Sequence, residues 1–147
     1  MSSVSAGRHE WIRHYPLREK AGLVVEVLGA YVSVKRRLRR VELHRLVEEL
    51  RSATAVRSAY PTRLAEQAAA MRIGRAIGRI VTFVPGDSRC LVRSLVLMVV
   101  LARRGVASTL VIGVSPSPDF QAHAWVEVDD LAVLPSLEHI HQRIVEL

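Results

Sequence analysis

The chain has 147 residues, half of them hydrophobic and only 5% aromatic, with a formal charge of +7 and a pI near 10.7. That length supports one domain with a real core and is short for two. Its single cysteine excludes an internal disulfide and fits a reducing cytoplasm; the polar opening from Met1 to Trp11 lacks the apolar segment of a secretory signal, and no apolar run reaches the roughly 18 residues of a membrane span.

Residues 1–15 read as a flexible lead-in, and 16–147 as a single domain divided into a helical part (16–82) and a second part (83–147). Pro16 suits a first helical turn, and Leu17, Ala21, Val24, Val25, Leu28, Tyr31 and Val32 recur at helical spacing, so the segment reads as a buried helix. A second helix follows, with Val41, Leu43, Leu46, Val47 and Leu50 on its apolar side and Glu42, Arg45, Glu48, Glu49 and Arg51 outside. Thr62 and Glu66 mark the start of a third, over 63–82, with Arg72, Arg75 and Arg79 along one side. Gly74 and Gly78 each cost that helix about 1 kcal/mol relative to alanine, which predicts a close helix contact there. Asp87 or Ser88 can cap a fourth helix from about Arg89 to Arg104. Arg103, Arg104 and Gly105 make a suitable end for it, because cations complement the negative dipole terminus and glycine supplies a left-handed turn.

Beyond Gly105 the period changes. Residues 107–114 are rich in strand formers, 115–118 form a loop, and 120–128 read as a second strand. Asp129 and Asp130 resemble a two-residue hairpin turn, with a third strand over 131–134 and a short terminal helix over 137–147. Helices followed by a small antiparallel sheet make an α+β fold.

The residues with chemical potential are Cys90 and His123. Cys90 falls in the first turn of its helix, where unpaired backbone N–H groups favour a thiolate, and Arg89 and Arg93 push the same way. The competing reading is an ordinary buried cysteine. His123 alternates with Trp125, Glu127 and Asp129 on one strand face, opposite Ala122, Ala124, Val126 and Val128. A histidine there would take the thiol proton and return it to a leaving amine. A third group should hold the imidazole. Asp129 is chosen because it shares the His123 face, ahead of Asp130, Glu127, Asp119 and Glu138; hairpin pairing would place Pro135 or Ser136, neither a carboxylate, across from His123. The Cys90 amide is the expected oxyanion donor. No cofactor and no metal are expected: His139 and His141 lack helical i,i+4 spacing, and Gly74-x-x-x-Gly78 lacks the Lys-Ser/Thr of a phosphate loop.

A thiol at a helix start followed by a strand histidine is the arrangement of papain-type and transglutaminase-type nucleophiles. The segments Asp87-Ser88-Arg89-Cys90-Leu91-Val92-Arg93-Ser94-Leu95, Leu101-Ala102-Arg103-Arg104-Gly105-Val106, Leu110-Val111-Ile112-Gly113-Val114 and Phe120-Gln121-Ala122-His123-Ala124-Trp125-Val126-Glu127-Val128 together resemble the lasso-peptide maturation proteases. These are transglutaminase-like cysteine proteases that remove the leader from a ribosomally made precursor. The resemblance implies Cys90 as nucleophile and His123 as general base, on a helix and a small antiparallel sheet. It also implies a split system, because the helical N-terminal part does not match a fused leader-recognition domain. A separate protein would bind the leader of the precursor peptide, docking on the basic and apolar N-terminal helices, and a cyclase would close the ring.

Two other readings compete. A transglutaminase-like acyltransferase or amidase would share the acyl-enzyme. A basic non-enzymatic adaptor would bind nucleic acid or lipid through Lys35-Arg36-Arg37-Leu38-Arg39-Arg40. That run lacks interleaved aromatic residues, so no nucleic acid is expected, while peripheral membrane contact stays open.

Overall fold

The structure is a computed structural model that describes residues 17–54, 57–82, 89–115, 121–133 and 142–147. Four helices, α1 (Leu17–Leu38), α2 (Leu43–Ser52), α3 (Arg63–Thr82) and α4 (Arg89–Arg103), precede four strands, β1 (Thr109–Ser115), β2 (Gln121–Val128), β3 (Leu131–Ala132) and β4 (Gln142–Glu146). The architecture is α+β, as the change of period predicts. Among the described residues no helix is long and apolar enough to cross a membrane.

Helix α4 is the hub. Val92, Leu95, Val96, Leu97, Met98, Val100, Leu101 and Ala102 are all buried, a pattern too broad for one amphipathic stripe and suited to a helix enclosed on every side. It contacts α1, α2 and α3 on the one hand and β1 and β2 on the other. Its end is a Schellman motif: the N–H of Gly105 donates to Ala102 O at 3.0 Å and that of Val106 to Leu101 O at 3.1 Å, with Gly105 at φ 69°. A side chain on Gly105 would also run into the main chain of Arg57 and Ser58, so the position needs glycine twice over.

Thr62 starts α3 as expected, its Oγ1 accepting from the Ala65 N–H at 3.2 Å. The close contact expected at Gly78 is not there: a Cβ built on it meets nothing within 4 Å. Helix α1 departs further from expectation. The face it buries carries Val27, Ala30 and Val34, while Val24, Val25, Leu28 and Val32 are exposed, Val25 at 71%. Both faces are apolar, so spacing alone does not choose between them, and packing against α4 decides.

The sheet order is β3-β2-β1-β4, with every pair antiparallel. Asp129 and Asp130, at φ 48° and 62°, form the two-residue turn between β2 and β3; positive φ at both positions is the type I′ geometry that matches strand twist. The end of the chain is a strand, correcting the expected terminal helix. β4 pairs with β1, and Leu110 and Leu147 exchange main-chain hydrogen bonds at 2.7 and 2.8 Å. Without β4 the β1 edge would present a row of unmet N–H and C=O groups, whereas so short a tail gains little as an isolated helix. The lead-in, the caps at Asp87 and Ser88, the residues facing His123 in the projected hairpin, and His139 and His141 lie outside the described residues.

Candidate active site

Two elements far apart in the sequence build the site. Cys90 is the second residue of α4, half-buried and beside the β2 strand. Its thiol is held down from 9.0 to about 7, first by a hydrogen bond with the His123 side chain, then by the Ala124 and Leu91 backbone N–H groups and the field of His123; burial opposes them. Leu91 lies in the first helical turn, whose N–H groups have no carbonyl partner within the helix, so the helix terminus contributes as expected. Arg93 is not among these causes, and the imidazole comes first.

His123 reaches the sulfur from β2, where it pairs with Gly113 of β1. Its ring stacks on the Trp125 indole, with centroids 6.2 Å apart and planes at 18°. Trp125 is buried, and its Nε1–H donates to Glu127 Oε1 at 2.9 Å. The alternating residues 123, 125 and 127 thus make a continuous row on one strand face, ending in the imidazole.

The structure does not bring Asp129 to this pair. Asp129 is exposed and occupies the hairpin turn at φ 48°. It is six residues from His123, about 20 Å at the usual rise of a strand. Shared parity put it on the same face but at the far end. Asp130 is in the same turn, Glu127 serves Trp125, and Asp119 and Glu138 lie outside the described residues.

Sequence reasoning passed over Ser94. It is the only buried polar side chain among the described residues, and its Oγ donates to Ala124 O at 3.1 Å. The available signal was the i,i+4 spacing of Cys90 and Ser94, which puts both on one helix face.

A half-buried thiol with a lowered pKa, hydrogen-bonded to an imidazole at a helix start on an α+β scaffold, is the arrangement that thiol–imidazole chemistry needs. The family model of the Transglutaminase-like superfamily matches residues 28–143, and the chain belongs to that superfamily, whose members are typically cysteine-dependent enzymes. Comparison with curated proteins finds no match, and comparison with solved structures finds none either.

Proposed function

We propose that this protein is a cysteine endopeptidase that removes the leader from a lasso-peptide precursor. Cys90 is the nucleophile, His123 the general base and acid, and a separate leader-binding protein presents the substrate to them. The observation that carries this reading is the hydrogen bond between the Cys90 thiol and the His123 imidazole at the start of α4. The resemblance of the Cys90 and His123 segments to the lasso-peptide proteases supplies the substrate class.

The chemistry follows from the pair. The Cys90 proton passes to His123, and the thiolate attacks the carbonyl carbon of the scissile peptide bond. Backbone N–H groups at the start of α4, that of Cys90 first, receive the oxyanion. As the C–N bond breaks, imidazolium gives its proton to the leaving amine, leaving a thioester on Cys90. Water, deprotonated by His123, then hydrolyses the thioester, and the thiol regains its proton. Tethering by the partner raises the local concentration of the scissile bond at the Cys90–His123 pair. The partner and the cyclase belong to the proposed pathway, which acts in the cytoplasm.

Membership of the transglutaminase-like superfamily also favours a second reading, in which an amine instead of water takes the acyl group. Product mass separates the two. Incubating a candidate precursor with wild-type protein, Cys90→Ser and His123→Ala, each with and without the leader-binding protein, tests the proposal by mass spectrometry. Leader and core fragments summing to precursor plus one water are expected from wild type alone, faster with the partner. Equal rates with and without it refute the division of labour, and cleavage by Cys90→Ser refutes the nucleophile.

A further inference from the structure

Ser94 is fully buried at 0% exposure, and a buried hydroxyl is costly unless it is hydrogen-bonded. A helical serine meets that need most simply by bonding back to the carbonyl four residues earlier in its own helix. Ser94 instead donates across 30 residues of sequence to Ala124 O on β2. Cys90, one turn earlier on the same helix face, receives the N–H of that same Ala124. One strand residue is therefore gripped through both its main-chain groups by two side chains of α4.

The strand geometry shows why this is possible. The Val133 N–H donates to Val126 O at 2.9 Å, so the main-chain groups of even-numbered β2 residues point towards the β3 side. β3 covers only Glu127 and Val128 in its ladder. Two residues further from the turn than Val126, that side of β2 meets α4 at Ala124, the residue that follows His123.

We propose that Ser94 is a positioning residue of the Cys90–His123 site, its hydroxyl holding the Ala124 carbonyl so that β2 presents the adjacent imidazole and the Ala124 N–H to the sulfur. This rests on the reading of that pair as the reacting groups. Ser94 touches no reacting atom. It sets the slide of α4 along β2, and a shift of about 1 Å there opens the thiol–imidazole hydrogen bond.

The test uses the folded full chain without substrate. Cys90 is the single cysteine, so the rate of iodoacetamide alkylation, followed by intact mass against pH, reports its thiolate alone. Wild type is expected to titrate with a midpoint near 7. Ser94→Val, similar in bulk to Ser94→Thr but lacking the hydroxyl, and Ser94→Ala, which adds no volume, should move the midpoint up by at least about half a unit, a loss of about twofold or more in rate at pH 7. Ser94→Thr should titrate below Ser94→Val. If Ser94→Val and Ser94→Ala keep the wild-type midpoint while melting at lower temperature, Ser94 is structural only and the proposal falls. A wild-type midpoint near 9 would sink the reading of the pair itself.

Discussion

The guanidinium of Arg104 meets both carboxylate oxygens of Glu26 across the α1–α4 contact, Nη1 to Oε1 at 3.0 Å and Nη2 to Oε2 at 2.8 Å. Arg104 Nη1 also donates to Val100 O at 2.9 Å, and Arg103 adds a longer contact to Glu26 at 3.6 Å. The helix that carries Cys90 at its start is therefore clamped at its other end by a forked ion pair, the geometry in which arginine is strongest.

Replacing that carboxylate exposes its worth. Glu26→Gln should cost about 1–3 kcal/mol at pH 7, as expected for partly buried hydrogen bonds to a charged group. The bridge holds the Glu26 carboxyl below the usual carboxylate range, chiefly through the Arg104 hydrogen bonds. A lowered carboxyl pKa contributes stability that is present above the unfolded value and lost as pH falls through the folded one. Urea midpoints of the two proteins should thus differ by a constant amount above about pH 5 and converge in stronger acid. A gap independent of pH would show that packing, not charge, is responsible.

The imidazole is the largest influence on the thiol, so His123→Ala should shift the Cys90 alkylation midpoint upward from about 7 towards 9.0. The thiolate is the reactive form, and the lowered pKa means it accumulates as pH rises through about 7, two units earlier than for an unassisted thiol. At pH 7 the variant should therefore react at least about tenfold more slowly, and at pH 10 the two proteins should react alike. Identical profiles would place the cause elsewhere than His123.

Trp125 supports the same ring from its face. Trp125→Ala removes a buried indole and should cost about 3–5 kcal/mol, and it should also raise the Cys90 midpoint by freeing the imidazole. Trp125→Phe keeps a stacking partner but loses the N–H that Glu127 accepts, so the midpoint should stay near that of wild type while stability drops. A Phe variant as displaced as the Ala variant would make the indole hydrogen bond, not the stack, the support of His123.

At Gly105 two reasons for glycine can be told apart. Gly105→Ala should destabilise by about 1–3 kcal/mol for strain at positive φ, with more for collision with the Arg57 and Ser58 main chain. Asparagine tolerates the left-handed region but carries the same Cβ. Gly105→Asn should therefore recover only the strain part of the alanine loss and still melt well below wild type. Rescue by asparagine would mean that the chain at Arg57 yields and only the dihedral matters.

Much of the molecule was legible where the causes are local. Thr62 announces α3, Gly105 ends α4, and the Asp129-Asp130 pair turns the hairpin, because a cap oxygen and positive φ act within a few residues. Cys90 and His123 were recognisable from their order and from the elements they occupy. Asp129 was misjudged because alternation gives the face of a side chain and not its distance along the strand.

What the amino-acid order determined by itself was the four helices, the first three strands with the turn between β2 and β3, and the placement of Cys90 at a helix start ahead of a strand histidine. Tertiary structure alone decided which apolar face α1 buries, that the tail joins β1 as a strand, and that Ser94 and Cys90 grip one residue of β2. Those outcomes depend on partners distant in the chain: a helix with two apolar faces is oriented by its neighbour, an open sheet edge recruits whatever strand can satisfy its hydrogen bonds, and a buried hydroxyl bonds to the carbonyl that packing brings to it.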